Sequence, residues 1–144
     1  MSGVDLAQRL EGIVHEPTQR GERGFDLTAA EVYEIDEPGR VDFGGGELEA
    51  ATRSPHERTR RNPDDDYGWW ELTGGGYLIE YNESLRGDEP VTVETRDALL
   101  GRGAFHPTVR VTSLDPIPLW VSPGGLKIKE NARVSTLRAI GSSG

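Results

Sequence analysis

The chain has no cysteine and only two lysines, Lys127 and Lys129, among its sixteen basic residues. Without cysteine, disulfides, thiolate metal sites and a cysteine nucleophile are excluded. The three histidines, His15, His56 and His106, show none of the spacings that zinc sites use. For His106 a neutral ring with one hydrogen bond is a more common fate than catalysis. The sequence therefore leaves any metal ligand unknown.

Apolar residues are also scarce, at 34% of the chain with a mean hydropathy of −0.58. No apolar stretch approaches the roughly 20 residues that a membrane-spanning helix needs. The N-terminal sequence lacks the basic region and apolar run of a signal peptide. We therefore expect a cytoplasmic protein with no membrane partner.

Positive charge is outnumbered, since the formal net charge is −9 and the isoelectric point is about 4.8. Such a chain is a poor candidate for nucleic-acid binding, which needs clustered lysine and arginine. An acid-rich, lysine-poor surface favours a halophilic protein, because carboxylates keep a chain hydrated in salt. An ordinary acidic soluble protein is the alternative.

Glycine and proline are plentiful, with 19 and 9 residues, which favours many turns over long helices. Short segments with alternating apolar residues predict an all-β (mostly β) domain, a compact barrel or sandwich, over residues 1–144. The predicted strands lie near 25–35, 41–43, 69–72, 77–83, 91–96, 109–111, 119–121, 126–129 and 132–140. A helix over residues 3–14, capped by Ser2, precedes them.

Two segments carry few apolar residues. Residues 51–66 hold four arginines and three consecutive aspartates, which predicts a polar, mobile loop. Residues 141–144 predict a flexible tail. The glycine runs at 44–46 and 74–76 do not have the frame of a phosphate-binding loop and are predicted to be turns.

Several short segments, taken in their order along the chain, carry a recognisable set of motifs. They are Gly-Phe-Asp-Leu-Thr at 24–28, Glu-Val-Tyr at 31–33, 38–43, the strand 76–83 ending in Asn-Glu, Thr-Arg-Asp-Ala-Leu-Leu at 95–100 with Gly-Ala at 103–104, 122–126, and 130–137. In order and spacing these segments resemble the archaeal branch of the dUTPase/dCTP-deaminase superfamily, and the match covers most of the chain.

The resemblance implies a β-clip fold, a distorted barrel of short strands with a short N-terminal helix, assembled as a homotrimer with sites at subunit interfaces. It implies a deoxypyrimidine nucleoside triphosphate substrate bound with Mg²⁺. The chemistry would be attack of water on the phosphate chain or removal of the cytosine amino group. The resemblance favours an enzyme of one of these two types, a dUTP diphosphatase or a dCTP deaminase, and leaves the choice between them open.

The resemblance also implies the site residues. Arg96 would hold phosphate, Asp26 would organise the site and Asp115 would activate water. Asp97 and Thr136 occupy substrate-binding positions where the family has a serine and a glutamine. A carboxylate at Asp97 would repel a polyphosphate unless a metal ion lay between them.

These departures leave two alternatives open. The chain could be a catalytically silent trimeric member that binds nucleotide or serves as a scaffold. It could also be an unrelated β interaction domain with Trp69, Trp70 and Tyr77 as surface anchors, although their strand-like pattern favours core packing.

Overall fold

Strands form most of the regular structure in the computed structural model, which describes residues 5–140. The strands are β1 (Leu10–Glu11), β2 (Phe25–Glu37), β3 (Thr52–Pro55), β4 (Arg58–Thr59), β5 (Trp69–Leu72), β6 (Gly75–Tyr81), β7 (Ser84–Leu85), β8 (Val91–Thr95), β9 (Ala104–Phe105), β10 (Val109–Val111), β11 (Ile117–Val121), β12 (Leu126–Lys129) and β13 (Arg133–Ala139). The helices are α1 (Glu16–Gln19), α2 (Asp97–Leu100) and a 3-10 helix, Leu6–Arg9. The predicted mostly-β class is confirmed. No helix within residues 5–140 is long and apolar enough to cross a membrane.

The longest strand, β2, organises the main sheet. The strand order is β10-β8-β13-β2-β6-β11-β9, and β3 also pairs with β2. The first part of β2 lies antiparallel to β13, and its later part lies between β6 and β3. Register shifts on each side of β2 mark bulges, which bend a strand and increase its twist. The sheet accordingly curls into a half-barrel.

A three-stranded sheet, β12-β5-β4, supplies the other side of the core. In β6 the buried side chains alternate as Tyr77, Ile79 and Tyr81, as expected for a strand with one face in the core. Trp70 of β5 is fully buried. The proposed role of Trp70 and Tyr77 as surface anchors is therefore wrong, because both side chains fill the core, while Trp69 is only half-buried.

The predicted helix over residues 3–14 is wrong in extent. Asp5 caps only the 3-10 helix, where its side chain accepts a 3.0 Å hydrogen bond from the Ala7 amide. The chain then becomes extended and Leu10 pairs with Leu85. Gly12 follows with φ +83°, at a point where a Cβ would overlap the Asn82 carbonyl oxygen. The pairing of Leu10 with Leu85 thus overrides the helical periodicity of the sequence. The predicted cap, Ser2, lies outside the described residues.

The predicted strand at 41–43 is also wrong. Residues 38–51 form an arm between β2 and β3, closed by paired backbone hydrogen bonds between Arg40 and Glu49. Val41 and Phe43 do not belong to a strand of the sheet, and both side chains point into solvent. The segment 51–66 is exposed, as predicted, but contains β3 and β4. The predicted tail at 141–144 lies outside the described residues.

Candidate functional site

A row of polar side chains crosses the middle of the main sheet. Thr136 of β13 lies opposite Asp26 of β2 on one side and opposite Glu94 of β8 on the other. Directly paired residues project from the same face of a sheet. The Thr136 hydroxyl donates a 2.9 Å hydrogen bond to Asp26 Oδ1. Asp26 is mostly buried, so this bond fixes the carboxylate at the base of a cleft.

Two arginines converge on the second oxygen of Asp26. Arg96 follows β8 directly, and its Nε lies 3.4 Å from Asp26 Oδ2. Arg133 opens β13, and its Nη1 lies 3.1 Å from the same oxygen. The side chains of Arg96 and Arg133 are 25% and 37% exposed, so each can still offer donors to a ligand. A planar guanidinium held on one edge by a carboxylate is well arranged to grip a phosphate with the other.

The rim of the cleft carries both signs of charge. Arg23 and Asp97 form an exposed pair at 3.6 Å, and Glu94 is paired with Arg138 at 3.2 Å. The lining residues are Gly21, Glu22, Arg23, Gly24, Asp26, Glu94, Thr95, Arg96, Asp97, Arg133 and Thr136. With four carboxylates and three guanidiniums in this lining, the cleft would favour a polyanion whose charge a bound cation partly neutralises.

The described residues include no group of three or more His, Asp or Glu side chains placed to hold a metal ion. Asp26, Glu94 and Asp97 instead lie beside arginines, and Asp26 also accepts from the Thr136 hydroxyl. These residues do not fit a metal ion held by the protein alone, and we assign none.

Behind the cleft lies a buried carboxylate, Glu83, which is 2% exposed. Its Oε1 accepts from the Thr28 amide at 2.9 Å, and its Oε2 accepts from the Thr28 hydroxyl at 2.6 Å and Gln19 Nε2 at 2.9 Å. Burial raises the pKa of Glu83 above its ordinary value, against the effect of these donors. Gln19 Nε2 also donates to the Asp26 carbonyl oxygen at 2.8 Å, so this cluster fixes the backbone of the cleft.

A second buried cluster explains His106. Its Nδ1 lies 2.8 Å from the Pro107 carbonyl oxygen, which can only accept, so Nδ1 carries the proton. Its Nε2 therefore accepts from the Ser135 hydroxyl at 2.7 Å, and Ser135 accepts from the Tyr81 hydroxyl at 2.6 Å. Burial lowers the pKa of His106 and raises that of Tyr81. This neutral, enclosed histidine fits the structural role favoured by the sequence.

The structure brings four of the five predicted site residues together: Asp26, Arg96, Asp97 and Thr136 line the same cleft. Asp115 is exposed and lines a separate shallow pocket with Pro90 and Arg110. The Ser113 hydroxyl donates to Asp115 Oδ2 at 3.0 Å. Within one chain, the residue predicted to activate water thus belongs to a different pocket from the arginines.

Sequence reasoning missed Arg133, Glu94 and the support from Gln19 and Glu83. Arg133 and Glu83 each lie inside a segment that carries the resemblance, which was a usable signal. Glu94 follows from strand pairing, because the register between β8 and β13 places it beside Thr136. Nothing local in the sequence indicates that Gln19 is buried.

The fold and the cleft together define a mostly-β protein with a polar cleft lined by arginines and carboxylates. A search of solved structures finds a likeness to 2′-deoxycytidine 5′-triphosphate deaminase from Agrobacterium tumefaciens, with a TM-score of 0.57 and 15% identity, covering 92% of this chain and 44% of that one. The chain thus spans less than half the length of this neighbour. At this identity the likeness supports the fold alone.

Among curated proteins, the chain is 29% identical over 136 residues to a probable deoxyuridine 5′-triphosphate nucleotidohydrolase of Methanosarcina mazei. The alignment covers 89% of this chain and 75% of that protein. No protein-family profile matches the chain. With the structural likeness, this relative confirms the resemblance of the chain to the dUTPase/dCTP-deaminase superfamily. This finding counts against the alternative of an unrelated β interaction domain.

Proposed function

We propose that the cleft binds the phosphate chain of a deoxypyrimidine nucleoside triphosphate, for dUTP hydrolysis or dCTP deamination. One observation carries this proposal: Arg96 and Arg133 converge on Asp26 while remaining accessible. The named activities of the superfamily relatives direct it to deoxynucleotides. Either reaction consumes one water. dUTP would give dUMP and pyrophosphate as the bond between the α-phosphorus and its bridging oxygen breaks, and dCTP would give dUTP and ammonia.

The charges in the cleft favour a nucleotide that arrives with its own cation. Asp97 is exposed beside Arg96 and would repel a bare polyphosphate. A Mg²⁺ complex of the triphosphate carries less negative charge and can bridge to such a carboxylate. We therefore propose that Mg²⁺ enters as part of the substrate. A cytoplasmic location and a halophilic source remain predictions.

The assembly belongs to the same proposal. Asp115 and the arginine-lined cleft lie in different pockets of one chain. In a homotrimer, a neighbouring copy could bring its Asp115 to the cleft, where a carboxylate is needed to activate water. The proposed catalytic role of Asp115 therefore depends on self-association.

A catalytically silent, nucleotide-binding member is the second candidate. It is favoured by the same separation of Asp115 from the cleft and by Asp97 in place of the serine that the resemblance implies. Such a protein would keep the arginine grip and bind nucleotide without turnover.

Incubation with dUTP or dCTP and Mg²⁺ at high salt tests these candidates, with products separated by chromatography. Formation of dUMP with pyrophosphate, or of dUTP with ammonia, identifies the reaction. Saturable binding without either product supports the silent member. Neither turnover nor binding would overturn the assignment of the cleft.

Variants of the two arginines locate the binding site. Arg96→Lys and Arg133→Lys should each weaken triphosphate binding about 10-fold or more, because each loses a charge-assisted bond worth about 1.5–3 kcal/mol. Arg86→Lys is the matched control, since Arg86 is an exposed arginine whose Nε lies 3.7 Å from Glu11. Equal affinities in all three variants would show that the phosphate binds elsewhere.

A further inference from the structure

The arm formed by residues 38–51 exposes apolar side chains that its own chain does not cover. Val41, Phe43 and Leu48 are 89%, 109% and 66% exposed. The arm is nevertheless ordered, because its two sides are joined by hydrogen bonds between Arg40 and Glu49 at 2.8 and 3.0 Å. In a chain with so few apolar residues, three on one arm mark an interaction surface.

An apolar groove lies on the main sheet near the base of the arm. Its walls are formed by Ile35, Gly76, Tyr77, Leu78, Phe105, Pro107, Pro118, Leu119 and Trp120. Ile35, Phe105 and Trp120 are each nearly half-exposed, and the rings of the last two contact each other at 5.6 Å. This groove has no charged residue in its walls. The groove therefore presents an apolar surface, as the arm does.

Charge at the edges of the two surfaces is complementary. Arg53 lies opposite Ile35 in the pairing of β2 with β3, and Arg102 lies three residues before Phe105. On the arm, Asp42 and Glu47 lie beside the apolar side chains. None of these four charged groups has an oppositely charged partner within 4 Å among residues 5–140. The arm thus carries two acids, and the residues beside the groove include two arginines, that form no ion pair among residues 5–140. The Arg53 guanidinium lies over the Tyr33 ring, 4.4 Å from its centroid.

The tip of the arm does not pack on the groove of its own chain. Ile35 belongs to the groove, and the arm leaves β2 only three residues later. Seven residues of extended chain from Glu37 to Gly44 place the tip up to about 23 Å from this base. The full exposure of Phe43 shows that the tip contacts nothing in its own chain.

We propose that the arm of one copy docks in the apolar groove of a second copy of this chain. The contact is heterologous, so every copy uses its arm once and its groove once, and a suitable rotation closes the copies into a ring. This inference deepens the self-association in the proposed function but does not use nucleotide chemistry. The test below contains no nucleotide, so its result is independent of whether the cleft binds one.

Sedimentation of the full chain at high salt tests the docking, with one variant for each surface. Phe43→Asp alters the arm and Trp120→Asp alters the groove. Each should weaken self-association about 10- to 100-fold, since an apolar side chain buried on docking contributes about 1.5–3 kcal/mol. Val14→Asp, which changes an exposed apolar residue outside both surfaces, should associate like the wild type.

Mixing the two variants gives the sharper result. At a protein concentration between the dissociation constants of the wild type and the variants, each variant alone should sediment as a monomer, whereas an equimolar mixture should form a dimer and nothing larger. One intact arm would fill one intact groove, and neither copy could continue the ring. A monomeric wild type, unchanged assembly of Phe43→Asp, or a mixture without dimers would overturn the proposal. Circular dichroism establishes beforehand that both variants are folded.

Discussion

Replacing Glu83 by glutamine tests whether a buried carboxylate supports the cleft. The substitution keeps the shape of the side chain and removes its charge. In the wild type both oxygens of Glu83 face donors, namely the amide and hydroxyl of Thr28 and the Nε2 of Gln19. A glutamine amide has one acceptor oxygen and one donor nitrogen. Its nitrogen must therefore face either the Thr28 amide or the Gln19 amide.

The expected cost follows from that mismatch. A buried donor left without an acceptor costs about 1–3 kcal/mol, and we expect Glu83→Gln to lose this much of its free energy of unfolding near neutral pH. The loss of a desolvated charge acts in the opposite direction and keeps the cost within this range. Glu89→Gln is the matched control: this exposed glutamate should change stability by less than about 0.5 kcal/mol.

The pH dependence of the free energy of unfolding separates the cost of the unpaired donor from the effect of removing the charge. Because burial raises the pKa of Glu83 in the folded state, the folded protein binds a proton more tightly than the unfolded chain. Glu83 therefore contributes its full stabilisation below its ordinary pKa of 4.5. This contribution is lost as the pH rises through the pKa that Glu83 has in the folded state. The stability difference between wild type and Glu83→Gln should therefore shrink from about pH 4.5 upward.

Urea unfolding followed by tryptophan fluorescence measures this difference, since Trp70 is fully buried. A difference that grows with pH would refute the reasoning. It would show that the three donors outweigh desolvation and lower the pKa of Glu83. An unchanged stability for Glu83→Gln at every pH would refute the role of the cluster itself.

Two further predictions concern folding around the cleft. Burial lowers the pKa of His106, so stability from this group is full above its ordinary pKa of 6.5 and declines as the pH falls toward the folded value. Urea midpoints should therefore fall more steeply below pH 6.5 in the wild type than in His106→Phe, and equal slopes would contradict this. Gly24→Ala should cost about 1–3 kcal/mol, because its Cβ would overlap the Leu137 carbonyl oxygen. Gly44→Ala, in open space, should cost far less, and equal thermal midpoints would show that the sheet adapts to the added methyl group.

The sequence predicted strands well where a segment of alternating apolar residues pairs with a neighbouring strand. Trp69–Leu72 matches β5, and the predicted strand 132–140 matches β13 closely. The same pattern failed at Val41 and Phe43, because alternation reports which side chains are apolar and not whether a neighbouring strand exists. Helical spacing failed near the N-terminus for a related reason, since Leu10 is committed to pairing with Leu85.

The site was predictable in part because its residues lie in segments that carry the family resemblance. Asp26, Arg96, Asp97 and Thr136 were named from those segments, and the cleft contains them all. Arg133 was overlooked because its role depends on the register between β13 and β2, which sequence spacing does not specify. The position of Asp115 relative to the cleft depends on how copies assemble, and that lies beyond a single-chain pattern.

The strand β2 has a mechanical consequence for an assembled protein. It carries Asp26 near its first end, Ile35 near its other end, and the arm directly beyond. These ends are about 30 Å apart along the strand. A hydrogen-bonded strand resists stretching, so an arm seated on a neighbour would hold this cleft at a fixed offset from that neighbour's groove. The bulges in β2 would then set the angle between successive clefts, and a substitution there would change the geometry of the whole ring while leaving each cleft intact.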